Sequence, residues 1–96
     1  MEENMMDRPI EWDEEKNAIN KQKHKIGFEQ AAYVFADPNR KVRYDALHSD
    51  EEDRWHVIGR VGRVLFVVCT ERGETIRIIS ARYANAKERR IYYGNS

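Results

Sequence analysis

"RWHVIGRVGRVLFVVCTERGETIRIISARY" (residues 54–83) is the stretch that decides the fold. Its apolar residues recur mostly at every second position, the period of a strand. Two short glycine-centred breaks, "VGR" (61–63) and "RGE" (72–74), divide it into runs over 54–61, 64–71 and 75–83. Connections this short join antiparallel neighbours, because a parallel pair needs a crossover of a dozen or more residues. The middle run, "VLFVVCTE", is apolar almost throughout and reads as a central strand buried on both faces. In the first run Trp55, Val57 and Gly59 share one side. In the last, a regular pleat places Ile76, Ile78, Ser80 and Arg82 on one face and Arg77, Ile79, Ala81 and Tyr83 on the other.

Upstream the period changes. "KVRYDA" (41–46) adds a fourth strand, followed by the acidic loop "HSDEED" (48–53). In "FEQAAYVF" (28–35) Phe28, Ala31, Ala32 and Phe35 stand at i, i+3, i+4 and i+7, which predicts a helix between Gly27 and the turn "DPNR" (37–40). Asp13, with Glu14 and Glu15 behind it, is placed to cap an earlier helix over about 13–24. On that helix Trp12, Ile19 and Ile26 repeat every seven residues as a narrow apolar stripe, with Lys16 and Lys23 beside it. "PIEW" (9–12) reads as a short strand before it. Downstream, Asn85 and Glu88 have the spacing of a capping box and open a helix over "AKERRIYY" (86–93). The order is α, α, β, β, β, β, α. The class is α+β, with N-terminal helices packed on an antiparallel sheet and a short C-terminal helix. At 96 residues, 41% hydrophobic and 35% charged, the chain fits one domain over 1–96, with residues 1–8 as a frayed lead-in.

A net charge of zero conceals a split. Residues 1–53 carry 8 Lys/Arg against 14 Asp/Glu, and residues 54–96 carry 9 against 3. Either the halves neutralise each other on folding, or the second half presents a basic face. Arginine suits phosphate because its planar fork meets two oxygens at once. Arg82 ends the last strand just before a helix, while Arg72 and Arg77 lie nearer the 72–74 turn. Each reads either as a phosphate ligand or as an exposed strand charge. If the helix over 13–24 covers the face carrying Ile76 and Ile78, Arg82 joins it at the helix edge, with Lys16 and Lys23 nearby. Those lysines either line that cleft or lay their stems over the core. His24, at the helix end, is either a proton-transfer group or a C-terminal cap.

Several classes fall away. His24, His48 and His56 have no zinc-ligand spacing, and the single Cys69 reads as a small buried hydrophobe. The five glycines fall singly at turns, and no nucleophile motif, phosphate-cradling loop or dinucleotide fingerprint appears, so neither metal nor cofactor is expected. No apolar run is long enough to cross a bilayer, and "MEENMMDRP" lacks the apolar centre of a secretion signal, which points to the cytoplasm.

Four segments, "EWDEEKNAINKQKHKIGFEQAAYVFADP" (11–38), "DRWHVIG" (53–59), "VVCTER" (67–72) and "RIISARYANAKERRIYY" (77–93), together resemble the BrnT toxins of bacterial toxin–antitoxin pairs, in that family's order. The loop 40–53 carries no shared motif. The resemblance implies a RelE-like ribonuclease fold and cleavage of RNA that arrests translation and growth. It further implies neutralisation by a BrnA-type antitoxin, a ribbon-helix-helix protein through which the toxin–antitoxin hetero-oligomer meets operator DNA. The family's polar motif positions fall on Trp12, Asp13, Lys16, Asn20, Lys23, His24, Arg72, Arg82 and Glu88. On this footing Arg72 and Arg82 stabilise the transition state of a metal-independent endoribonuclease, Lys23 positions the phosphate, and His24 or Glu88 moves protons. Lys16, Asn20 and Arg77 would contact RNA, while Trp12 and Asp13 would be structural. The alternative, from another class, is a non-catalytic domain that binds nucleic acid or protein.

Overall fold

A computed structural model describes residues 8–94. One five-stranded sheet has the order β1-β5-β4-β3-β2, with β1 at Ile10–Glu11, β2 at Lys41–Tyr44, β3 at Arg54–Val61, β4 at Arg63–Arg72 and β5 at Thr75–Tyr83. Helix α1 spans Glu14–His24, α2 spans Phe28–Ala31 and runs into a 3-10 turn over Ala32–Ala36, and α3 spans Ala86–Tyr93. The meander forms as its turns dictate. Gly62 (φ 73°) and Gly73 (φ 60°) occupy the left-handed region at the two hairpin turns, where a Cβ would be strained. The short first strand adds something the meander reading lacked, since β1 pairs with β5 in parallel, Ile10 opposite Ile76 and Glu11 opposite Arg77.

Residues 1–7 of the expected lead-in lie outside the described residues, but Arg8 is not frayed. Its guanidinium donates to the carbonyls of Gly73, Glu74 and Thr75 at 3.2–3.3 Å and pairs with Glu71.

One face of the sheet is sealed. Leu65, Val67, Cys69, Ile76 and Ile78 pack there against Ile26, Phe28, Val34 and Phe35. Burying a side chain such as Phe28 completely contributes about 1.5–3 kcal/mol. Gly59 is required by this packing, because a Cβ on it would lie 2.8 Å from Cβ of Val34.

Helix α1 corrects the expected apolar stripe. Ile19 is 57% exposed, and the residues α1 buries are Asn17 and Asn20. Asn17 Oδ1 accepts the N–H of Phe28 at 2.8 Å. Asn20 accepts the N–H of Ala81 at 3.2 Å and donates to the carbonyls of Ala81 and Ile26 at 2.8 and 3.0 Å. The reason lies in the sheet. β1 ends at Glu11, so the second half of β5 has no strand beyond it, and its outward backbone groups need partners. The Asn20 amide stands in for the missing strand.

The regular pleat is also broken. Val68 pairs with Ser80 and Cys69 with Ile78, leaving Ile79 as the extra residue of a β-bulge. A bulge inverts the alternation beyond it. Ile76 and Ile78 therefore share the sealed face with Ala81 and Tyr83, while Arg77, Ser80 and Arg82 share the other. The expected grouping of Arg82 with Ile76 and Ile78 on one face is thereby corrected.

Helix α3 covers one end of that second face. Ile58, Val64, Ala84 and Tyr92 form a small cluster there with Phe66 and Ile91 against it. The capping box forms as its spacing indicates: Asn85 Oδ1 accepts the Glu88 N–H at 2.8 Å, and Glu88 Oε1 accepts the Asn85 N–H at 2.9 Å. At the other end of α3 the Tyr92 hydroxyl donates to Asp37 Oδ2 at 2.6 Å, and Asp37 also accepts the N–H groups of Arg60 and Asn39. Burial and this bond push the Tyr92 hydroxyl up to about 12. Burial alone would raise the Asp37 carboxyl, but its three donors hold it below the ordinary aspartate range.

Candidate active site on the open face of the sheet

Beside α3, the uncovered part of the second face forms an open groove of ≈ 450 Å³ whose walls include Arg43, Asp45, His56, Phe66, Lys87 and Glu88. Cross-strand register builds it. Arg43 of β2 lies opposite His56 of β3, His56 opposite Val68 of β4, and Phe66 of β4 opposite Arg82 of β5. Phe66 is the floor on which two functional groups lean. The His56 ring lies 4.7 Å from its centroid, and the Arg82 guanidinium carbon lies 4.3 Å above it, a cation–π distance.

Each of these groups has a fixed orientation. Arg82 makes a bidentate pair with Glu88, both nitrogen–oxygen distances 2.8 Å, and donates to the Tyr83 carbonyl at 3.2 Å. Glu88 is thus held twice, by its cap and by Arg82. Burial would raise the Glu88 carboxyl, but the bonds from Arg82 and the Asn85 N–H outweigh it and keep it below the ordinary glutamate range, with a smaller contribution from His56 across the groove. An ionised carboxylate with both oxygens occupied cannot donate a proton. Glu88 is therefore suited to orienting Arg82.

His56 is oriented by Asp45, which begins an Asx turn just past β2. Asp45 Oδ1 accepts the N–H groups of Leu47 and His48 at 3.2 Å, and Oδ2 lies 2.9 Å from His56 Nε2 and 3.0 Å from His48 Nδ1. Burial would raise the Asp45 carboxyl, but the hydrogen bonds from His56 and then His48 bring it below its ordinary range. An ionised carboxylate only accepts, so His56 Nε2 carries a proton, and in the neutral ring Nδ1 has the lone pair. The arrangement joins a base oriented by a carboxylate to a preorganised cation.

The family described as "Ribonuclease toxin, BrnT, of type II toxin-antitoxin system" matches residues 12–88. The chain belongs to the BrnT family. Among solved structures, the 1.1 Å crystal structure of the Brucella abortus ribonuclease toxin BrnT matches with a TM-score of 0.64, covering 81% of this chain and 97% of that one at 24% identity. That likeness extends to the fold. No curated protein matches the chain.

The BrnT-family chain distributes the expected site residues over both faces. Arg82 and Glu88 come together, and Arg77 shares their face, where it donates to Glu11 at 2.8 Å. Arg72 pairs with Glu52 at 3.5 Å at the far end of the β4–β5 hairpin. Arg82 lies seven positions along β5 from Thr75, the residue opposite Arg72, a span of roughly 20 Å, so the two arginines do not meet one phosphate. Lys16, Lys23 and His24 belong to α1, which docks on the edge of β5 through Asn20 and Ala81. Asn20 is buried, with its amide committed to Ala81 and Ile26. Among the described residues, no three His, Cys, Asp or Glu side chains are grouped as a metal site requires. Cys69 is buried and its thiol pushed up to about 12, first by that burial, so it is a packing residue.

Sequence reasoning missed Asp45, His56 and Phe66. His56 had a signal, standing out of phase with Trp55 and Val57 and hence on the face opposite the core. Asp45 had a fainter one, an Asx-turn residue three positions before His48. Phe66 joins Arg82 only because of the bulge, which no residue spacing announces.

Proposed function

We propose that the groove beside α3 is the RNA-cleaving site of this BrnT-family ribonuclease toxin and that it works without a metal. The observation that carries the reading is the convergence of His56 and Arg82 on Phe66, each held by its own carboxylate. In this reaction His56 Nδ1 takes the proton from a ribose 2′-hydroxyl, and the resulting oxygen attacks the adjacent phosphorus as the bond to the 5′-oxygen breaks, the leaving oxygen taking its proton from water. Arg82 stabilises the charge that develops on the phosphoryl oxygens. Glu88 and Asp45 are positioning residues, acting through Arg82 and His56. Arg43, Arg54 and Arg77, on the same face, supply the field that draws in the backbone.

Type II membership brings a protein antitoxin, and a BrnA-type ribbon-helix-helix partner would neutralise the toxin by covering this groove and would supply the pair's operator binding. The same groove accounts for arrest of growth through loss of RNA.

The product ends test the chemistry. Purified protein incubated with a labelled RNA in EDTA is expected to leave 2′,3′-cyclic phosphate ends, visible by mass spectrometry, and to spare a substrate with a 2′-deoxy residue at the cut. Cleavage that requires a divalent ion, or that leaves a free 3′-hydroxyl, would contradict the mechanism.

A further inference from the structure

On the other flank of α3, around the β3–β4 turn, lies a second concavity of ≈ 310 Å³ lined by Arg60, Arg63, Tyr83, Arg89 and Tyr93 among others. Its arginines differ in kind from Arg8, Arg72, Arg77 and Arg82. Arg8, Arg72, Arg77 and Arg82 each have a carboxylate partner, whereas among the described residues Arg60, Arg63 and Arg89 have none within 4 Å. They are nevertheless held in place. Arg60 Nε donates to the Gly62 carbonyl at 3.1 Å, Arg89 Nη1 to the Ala84 carbonyl at 2.8 Å, and the Arg63 guanidinium carbon lies 3.8 Å over the Tyr83 ring. Three like charges gathered in one concavity repel one another, and each retains free N–H groups, so the site is built for an anion. Tyr93, 53% exposed at its edge, adds an open aromatic face.

We infer that this concavity is a second RNA subsite, binding the backbone phosphate of a nucleotide that flanks the cut, with Tyr93 stacking on its base. The inference rests on the cleavage groove proposed above. The two concavities adjoin across α3, whose Arg89 and Tyr93 line this one while Lys87, Glu88 and Ile91 line the groove. A strand crossing the N-terminal end of α3 reaches both places. The subsite then sets how much RNA outside the scissile bond contributes to binding.

The test uses the full chain and a fluorescein-labelled single-stranded RNA carrying 2′-O-methyl riboses, which has no free 2′-hydroxyl to activate. Affinity is measured by anisotropy across a salt series for wild type, for Arg60→Gln, Arg63→Gln and Arg89→Gln, and for the triple variant, with thermal melts to establish folding. Each single change is expected to reduce the slope of log affinity against log salt by about 0.7, and the triple change by about 2. On cleavable RNA the triple variant should raise KM with kcat retained, and it should cut a dinucleotide as well as wild type does. If Arg63→Gln alone disturbs folding, Arg63→Lys keeps the charge and should keep the slope. Unchanged slopes in a protein that still cleaves RNA would overturn the subsite while leaving the cleavage groove standing. Loss of antitoxin binding with RNA affinity intact would overturn it in favour of a protein-docking role. A wild type that neither binds nor cuts RNA would remove both readings together.

Discussion

On the side covered by α1 and α2 the sheet presents Leu65, Val67, Cys69, Ile76 and Ile78, all essentially without exposure, to a helical layer tied on by asparagine amides. On its other side it presents Arg54, His56, Arg77 and Arg82 around Phe66 and Val68, and only α3 covers part of it. The contrast shows how a chain of 96 residues divides its labour. A domain this small cannot bury both faces of a five-stranded sheet under helices, so one face holds the molecule together and the other is free to meet a substrate. The bulge at Ile79 connects the two, since it keeps Ala81 and Tyr83 in the core while turning Arg82 outward.

Removing the groove's base is expected to have the largest effect on this division. His56→Ala should slow RNA cleavage by about 10²–10⁴-fold with no loss of folding, measured as initial rates beside a thermal melt. Asp45→Asn should cost less and should shift the pH profile of kcat, because it changes what His56 Nε2 faces. A pH profile that does not move would separate Asp45 from the chemistry.

The sealed face should respond in the opposite way. Asn20→Ala leaves the N–H and C=O of Ala81 buried without partners and should cost about 2–3 kcal/mol of stability. The rate per folded molecule should hardly change. Denaturant unfolding and cleavage on the same samples distinguish this from a direct role of Asn20 in RNA contact, which would lower the rate at full stability.

A smaller effect is expected where the two regions are fastened together. Tyr92→Phe removes the bond to Asp37 and should cost about 1 kcal/mol. The Asp37 carboxyl is depressed in the folded chain. Its contribution is therefore complete above the unfolded aspartate value of about 3.9 and fades as pH falls through the folded value. The Tyr92→Phe penalty should accordingly shrink in acid, as melts at falling pH would reveal. A penalty that is constant with pH would mean that packing, and not the charged bond, holds α3.

Much of this architecture was legible from residue spacing. The meander, the Asp13 cap and the Asn85–Glu88 capping box follow from local chemistry and appear where the sequence places them, as does the α+β class. The family was legible as well, through its motif segments. What escaped was non-local. Ile19 looked like part of a core stripe because heptad spacing says nothing of an unpaired strand edge, which made Asn17 and Asn20 the buried residues instead. Arg82 was grouped with Ile76 and Ile78 because a pleat counted from Ile76 does not register one extra residue at Ile79. His56 was passed over because its partner Asp45 is eleven residues away and meets it only across the β2–β3 connection.

The most direct measurement is cleavage of a labelled RNA in EDTA by wild type, Arg82→Ala and Lys23→Ala, each verified as folded. If the open face is the active one, Arg82→Ala should be slower by about a hundredfold, or roughly 3 kcal/mol in barrier, and Lys23→Ala should match wild type. A folded Lys23→Ala that loses activity while Arg82→Ala keeps it would place the chemistry on the α1 side and contradict the account.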